Sequence, residues 1–257
     1  MDSATIKIPD LAGKRVLITG GSTGIGAALV RGFAEQGALV VLNYRRSRAQ
    51  AELLRAIAPA QIELVHGDLS APSAANDVVE RAAASMGGLD GLINNAGDML
   101  GRIPSKDATV AHFDNVVNLN ARSVWLASIA AHRHLKASGG GFIINTTSVA
   151  ARNGGGNGAV LYAAAKSFVS NLTRGQAKEF VSDGIRVNAV APGLIQTPFH
   201  DRDTPDELLA QQSAMIPMGR VGSPEDCVGA FIFLASHTLS GYITGQVIEV
   251  NGGQLMP

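Results

Sequence analysis

Tyr162 and Lys166 stand four residues apart in a segment, Ala159 to Phe180, whose composition reads as helix. That spacing puts phenol and ammonium on one helical face, where the cation can approach the phenol or a ligand beside it. A phenol with an ordinary pKa near 10 needs about 4 kcal/mol of differential stabilisation to ionise near neutrality, and neighbouring cations can supply it. Ser148 closes the run Asn145-Thr146-Thr147-Ser148, fourteen residues before Tyr162. At the C-terminal end of a parallel strand, its hydroxyl could hydrogen-bond a carbonyl oxygen that becomes an alkoxide. Together the three side chains suit proton transfer coupled to hydride transfer at an oxygen-bearing carbon.

A second group of residues could hold the hydride carrier. Thr19-Gly20-Gly21-Ser22-Thr23-Gly24-Ile25-Gly26 follows an apolar run and opens a helical segment. Small residues let the backbone turn sharply and approach a pyrophosphate, and the helix start then offers free N–H groups and a positive dipole end. About twenty residues on, an acidic side chain would accept from a ribose 2′-hydroxyl and select NAD. Glu35 and Glu52 are the nearest acids and lie inside the flanking helices; Tyr44, Arg45, Arg46 and Arg48 occupy the position instead. A guanidinium there pairs with a 2′-phosphate, so NADP is the expected cofactor, with NAD possible.

Short β-branched runs separated by longer Ala-rich segments must position these groups. The runs are Arg15–Thr19, Leu39–Leu42, Gln61–Val65, Leu89–Asn94, Gly141–Thr146, Ile185–Ala191 and Gln246–Val250. Most are apolar at consecutive positions, as in strands buried on both faces. Helices are expected at 24–36, 47–58, 72–86, 109–136, 160–182 and 223–236. Alternation of this kind predicts an α/β fold with an open, doubly wound parallel sheet of about seven strands. No linker divides the chain, so 1–257 reads as one domain. The stretch 194–222 interrupts the alternation as a helical insertion over the strand ends. Within it Thr204-Pro205-Asp206-Glu207 reads as a helix start, and Ser223-Pro224-Glu225-Asp226 repeats that capping logic.

Hydrophobic residues make up 46% of the chain and charged residues 16%, enough for one large buried core and too apolar for disorder. Lys plus Arg and Asp plus Glu are 21 each, which argues against nucleic acid or an anionic membrane surface as a partner. The N-terminus does not read as a secretory signal, and no apolar run is long enough to span a bilayer. A single cysteine, Cys227, excludes an internal disulfide and suits the cytoplasm. The six histidines show no metal pattern, and no metal is expected. His132 and His134 are two apart and read as surface positions. Cys227 and Trp125 read as packing residues.

The order and spacing of these motifs resemble the short-chain dehydrogenase/reductase family from about Leu11 to Gly253. The resemblance rests on residues 19–26, Asp68 after the third run, Asn94-Asn95-Ala96-Gly97 after the fourth, and Asn120. It continues through Ser148, Tyr162-x-x-x-Lys166, and Pro192-Gly193 with Thr197. It implies a single Rossmann-type domain and assembly as a homotetramer through the 109–136 and 160–182 helices. Tyr162 would be the general acid or base, Lys166 would hold the nicotinamide ribose and lower the phenol pKa, and Ser148 would orient the substrate oxygen. Asn120 would position a water joining Lys166 to solvent, with Asn118 a competitor for that role. Cofactor contacts would come from Gly20, Ser22, Thr23, Gly24, Ile25 and Gly26; from Tyr44, Arg45 and Arg46; and from Asp68 at the adenine with Leu69. Asn94, Ala96 and Gly97 would add to these, with Pro192 and Gly193, and with Ile195 and Thr197 at the carboxamide. Thr23 departs from the pattern, since many NADP-using members carry a basic residue there.

The expected activity is interconversion of a secondary alcohol and a ketone with NAD(P), on a 3-oxoacyl or other small carbonyl substrate. A sugar or polyol dehydrogenase is the alternative, for which Asn153, Gln196 and His200 could line a polar pocket. A catalytically silent NADP-binding regulator is a reading of another class, against which the full Ser, Tyr, Lys and Asn set argues. A methyltransferase with a similar loop lacks its acidic ribose-binding residue.

Overall fold

Successive side chains of each apolar run face opposite sides of one sheet, and the core divides accordingly. The computed structural model describes residues 6–198 and 213–256. Val16, Ile18, Val40, Leu42, Ile93 and Ile144 pack on one side, and Leu17, Val41, Leu92 and Ile143 on the other. This two-residue alternation, apolar on both faces, buries a strand in a layered α/β fold.

The strands are β1 (Arg15–Ile18), β2 (Leu39–Tyr44), β3 (Ile62–His66), β4 (Gly91–Asn94), β5 (Gly141–Thr146), β6 (Ile185–Pro192) and β7 (Val247–Val250). They form one seven-stranded parallel sheet in the order β3-β2-β1-β4-β5-β6-β7. Sequence order reverses between β1 and β4. Crossovers on either side of that point lie on opposite faces and leave a crevice at the strands' C-terminal ends.

Three helices cover one face: α1 (Gly24–Glu35), α2 (Arg48–Ile57) and, late in the chain, α8 (Pro224–Ala235). Phe33 of α1 and Phe231 and Leu234 of α8 are wholly buried there. The other face carries α3 (Ala74–Met86), α5 (Ser123–Ala137) and α7 (Val160–Phe180), packed through Val78, Ala131, Leu135 and Phe180. Short helices α4 (Val110–Val117), α6 (Ala150–Asn153) and α9 (His237–Ser240) lie in the connections.

The single helix expected at 109–136 is two helices joined by a π-helical turn, Asn118–Arg122. At its centre Asn120 Nδ2 donates to the carbonyl of Val116, four residues back, at 2.9 Å. That carbonyl is the acceptor an α-helical amide at this position would take, and such widened turns recur at functional sites. The Ser223 cap is present in full: its hydroxyl accepts from Asp226 N and the Asp226 carboxylate accepts from Ser223 N. In the 194–222 stretch, Ile195 bridges Gly222 in parallel fashion. The Thr204 helix start and His200 lie outside the described residues.

Three expectations about packing are refined. Trp125, expected to pack, is 46% exposed on α5. His132 and His134 are not free surface side chains: each is half-buried, 2.8 Å from Asp183 and Glu80 respectively. Cys227 is buried, and burial first, then the nearby Asp226 and Glu225 charges, push its thiol up to about 12, which leaves it inert at neutral pH.

Candidate active site

β1 ends at the point where the sheet order reverses, so the glycine-rich loop that follows it crosses the mouth of the crevice. Gly20 has φ +61°, and a Cβ there would stand 2.9 Å from Ala96 Cα. A Cβ on Gly26 would collide with the Gly20 carbonyl and the Asn95 amide, so this turn admits no side chain at either position. Asn95 clamps the two loops together: its Nδ2 donates to Thr19 O (3.1 Å) and Gly20 O (3.2 Å), and its N–H donates to Thr19 Oγ1 (2.9 Å). Thr23 caps α1 without a side-chain hydrogen bond, so the helix's first amides point toward the crevice.

The crevice is a cavity of about 700 Å³. Every residue expected at the cofactor or the chemistry lines it except Asn94 and Asn120. Arg45 and Asp68 face one another across it, with NH1 and Oδ1 3.7 Å apart. Burial opposes the Asp68 charge, but hydrogen bonds from Ser70 N and Oγ and the Arg45 cation hold its carboxyl below the usual range. Cationic and anionic groups therefore stand side by side where an adenosine would lie. The small loop, the open amides and this polar end fit a dinucleotide, with Arg45 and Arg46 available to a 2′-phosphate.

At the other end, α7 brings Tyr162 and Lys166 beside the end of β5. Thr147 Oγ1 donates to the Lys166 carbonyl at 2.9 Å and pins the helix to the strand end. The Ser148 hydroxyl accepts from Ala150 N (3.1 Å) and is hydrogen-bonded to the Tyr162 phenol. Lys166 is buried, donates from Nζ to Thr146 O (2.8 Å), and sits 5.6 Å from the centroid of the Tyr162 ring. A Cβ on Gly97 would meet Asn120 Oδ1 at 2.9 Å and Lys166 Nζ at 3.0 Å, which brings those two side chains together over one small residue.

The ionisation pattern differs from the expected lowering of the phenol by Lys166. Burial pushes Tyr162 up to about 12, and the Asp98 charge adds to it; the Ser148 hydrogen bond acts the other way without offsetting them. Burial lowers Lys166 to about 8. The ammonium lies over the ring and donates a hydrogen bond to the Thr146 carbonyl. The phenol thus keeps its proton through the neutral range, the form required of a proton donor.

This shift is also a stability statement. The ordinary Lys value is 10.5 and the folded one is about 8, so between them the unfolded chain binds more protons and stability rises with pH. The charged lysine costs about 3 kcal/mol of folding free energy below that window. In urea unfolding, the stability of the wild type relative to Lys166→Met is expected to rise from about pH 8 to about pH 10. Parallel pH curves for the two proteins would contradict a buried, easily neutralised ammonium.

Two expected site residues take positions behind the wall. Asn94 Nδ2 donates to Asn145 Oδ1 (2.8 Å) and Ser128 Oγ (3.1 Å), and Asn145 passes the chain on to Thr173 (2.9 Å). Asn120 Oδ1 accepts from Asp98 N (3.0 Å) and its Nδ2 donates to Asp98 O (2.7 Å), anchoring the loop after β4. Asn153 lines the cavity, whereas Gln196 does not. The wall also contains Asp98, Arg102 and Gln254, which no motif marked. Only the Asn251-Gly252-Gly253 turn signal hinted that the chain doubles back there.

Comparison with known proteins agrees with this layout. A family model described as enoyl-(acyl carrier protein) reductase matches residues 20–254. A 3β-hydroxysteroid dehydrogenase of Eggerthella lenta is 38% identical over 252 residues, covering 96% of this chain and 95% of that one. The crystal structure of an NADH-dependent reductase responsible for alginate metabolism superposes with a TM-score of 0.89 at 39% identity, covering 97% and 100% of the two chains. A short-chain dehydrogenase from Burkholderia cenocepacia in complex with NADP gives 0.89 at 33% identity, covering 95% and 99%.

Proposed function

Since the chain belongs to the short-chain dehydrogenase/reductase family and is an NAD(P)-dependent oxidoreductase, we propose that it interconverts a secondary alcohol and a ketone, with NADP preferred. One observation carries this reading: the Ser148 hydroxyl, the Tyr162 phenol and the Lys166 ammonium converge on one wall of the cavity whose far end is the glycine-rich loop. NAD(P) supplies the site that gives or takes hydride.

In reduction, Ser148 orients the carbonyl oxygen and Tyr162 donates its proton to that oxygen as charge develops. In oxidation Tyr162 would take the hydroxyl proton as its phenolate, a form that the positive charge of an oxidised nicotinamide beside it would favour. Lys166 holds the ribose of the cofactor, and Asn120, beside the same glycine, positions a water that connects it to solvent. Asn94 supports this wall from behind rather than touching the cofactor. The glycine-rich loop and the first amides of α1 take the pyrophosphate, Asp68 and Leu69 border the adenine, and Pro192, Gly193, Ile195 and Thr197 border the carboxamide. The substrate is a 3-oxoacyl compound or another small carbonyl; Asn153 in the wall equally supports a sugar or polyol. Residues 1–257 act as one domain; of the insertion at 194–222, residues 199–212 lie outside the described residues.

NADP preference rests on Arg45, which lines the cavity where an acidic ribose partner would stand in an NAD enzyme. Oxidation of NADPH and NADH, followed over a panel of ketones, tests the activity and the preference together. The wild type is expected to favour NADPH, and Arg45→Asp is expected to shift the NADP/NAD ratio of kcat/KM toward NAD by roughly a hundred-fold. An unchanged ratio would remove Arg45 from the 2′-phosphate site.

Phe113, Trp125 and Ile129 on α4 and α5 and Phe168 on α7 are each more than two-fifths exposed. These exposed apolar side chains on three helices support a homotetramer assembled through those helices. Among the described residues no helix is long and apolar enough to cross a membrane, and no group of acid, His and Cys side chains could hold a metal. A balanced charge and one buried thiol support a cytoplasmic enzyme without nucleic acid or membrane partners.

A further inference from the structure

The residue before Ser148 ties the reacting helix to the reacting strand end. Thr147 N donates to Val190 O (2.8 Å), which fixes its backbone on β6, and its buried hydroxyl reaches across to α7, donating to the Lys166 carbonyl at 2.9 Å. Lys166 is gripped a second time from the same place, since its Nζ donates to Thr146 O at 2.8 Å. Two consecutive residues at the end of β5 thus hold both the backbone and the ammonium of one lysine. The next residue, Ser148, is hydrogen-bonded to the Tyr162 phenol, one turn earlier on the same helix.

Ser170 Oγ stands 2.7 Å from Thr147 Oγ1 and 3.1 Å from the same carbonyl. Either hydroxyl can satisfy the Lys166 carbonyl, and only that of Thr147 does so from outside α7. Replacing it with a methyl group leaves the carbonyl to Ser170 and cuts the tie between strand and helix. Further along α7, Asn145 Nδ2 donates to Thr173 Oγ1 (2.9 Å), and Ala177 and Phe180 are buried against the sheet, so the helix stays docked without that tie. The loss bears on the first turns, where Tyr162 stands.

We propose that Thr147 is a positioning residue for the reaction: through the Lys166 carbonyl it sets where α7 sits along the end of β5, and so holds the Tyr162 phenol at the Ser148 hydroxyl. This assignment rests on the oxidoreductase reading of the same cavity. A displacement of about 1 Å at a reacting group costs up to about a hundred-fold in rate, even where packing hardly changes.

Ketone reduction at saturating NADPH, with the best substrate of the panel, tests it in three variants whose melting is followed alongside. Thr147→Val is expected to lower kcat by more than about ten-fold, to leave the ketone KM within about three-fold, and to melt within about 5 °C of the wild type. Thr147→Ser keeps the hydroxyl, and Ser170→Ala removes the one that ties no second element; each is expected to stay within about three-fold of wild-type kcat. A kcat within about three-fold of wild type in Thr147→Val overturns the assignment. So does an equal fall in Ser170→Ala, which would make pairing of the carbonyl the cause, or in Thr147→Ser, which would make it the methyl group. A Thr147→Val protein that no longer melts cooperatively overturns it as well, because the hydroxyl would then serve the fold rather than the geometry. No turnover of any ketone by the wild type overturns the alcohol–ketone reading itself, and this assignment with it.

Discussion

Tyr162→Phe is expected to lower kcat by about a thousand-fold or more while leaving NADPH affinity within about two-fold. The substitution removes one oxygen and keeps the ring, so the packing of α7 and the cation over the ring survive. What goes is the proton donor. With a pKa near 12 the phenol is protonated throughout the neutral range, and it is hydrogen-bonded to Ser148 where the substrate oxygen would rest. The alkoxide formed on hydride delivery would then have to take its proton from water, in a site that holds donors in place for the opposite purpose. Stopped-flow absorbance at the reduced nicotinamide, with binding followed separately by fluorescence, distinguishes lost chemistry from lost binding. Turnover within about ten-fold of wild type would sink Tyr162 as the proton donor.

The second large effect is expected at Gly26. An alanine there must displace the Gly20 carbonyl or the Asn95 side chain, and both belong to the clamp joining the loops after β1 and β4. Neither can yield cheaply, since one is backbone and the other makes two hydrogen bonds to backbone. A destabilisation of about 3 kcal/mol follows from forcing atoms into filled space, which for a chain of this size lowers Tm by about 6–12 °C. Cofactor affinity is expected to fall by more than about a hundred-fold, because the displaced loop is the one that approaches the pyrophosphate. Gly229→Ala is the matched control: Gly229 lies on the exposed side of α8 with no neighbouring atom within 4 Å of an added Cβ, and the change should be neutral or slightly stabilising. Wild-type binding and melting in Gly26→Ala would show that the loop has slack the geometry denies.

The two kinds of site residue were not equally visible beforehand. Loop glycines, the Tyr162–Lys166 pair and Ser148 sit at fixed offsets within single elements or at their ends, so spacing alone exposes them. The family resemblance placed Asn94 near the cofactor. Its side chain turns to the sheet face covered by α5, toward Asn145 and Ser128, while Asn95, Ala96 and Gly97 line the crevice. The continuous apolar periodicity of 109–136 concealed the π-helical turn at Asn120, because one widened turn barely alters the pattern of burial around it.

By itself the sequence determined the alternation of strands and helices, the place of the glycine-rich loop and which side chains are proposed to react. All of these depend on contacts within a few residues, where geometry follows from spacing. Tertiary structure alone decided that burial raises the phenol and lowers the ammonium, and that Arg45 stands against Asp68. It also decided that Gln254 returns from the far end of the chain to line the same cavity. Those facts depend on distances between residues separated by tens to hundreds of positions, and desolvation acts through whatever happens to be folded around a group rather than through its neighbours along the chain.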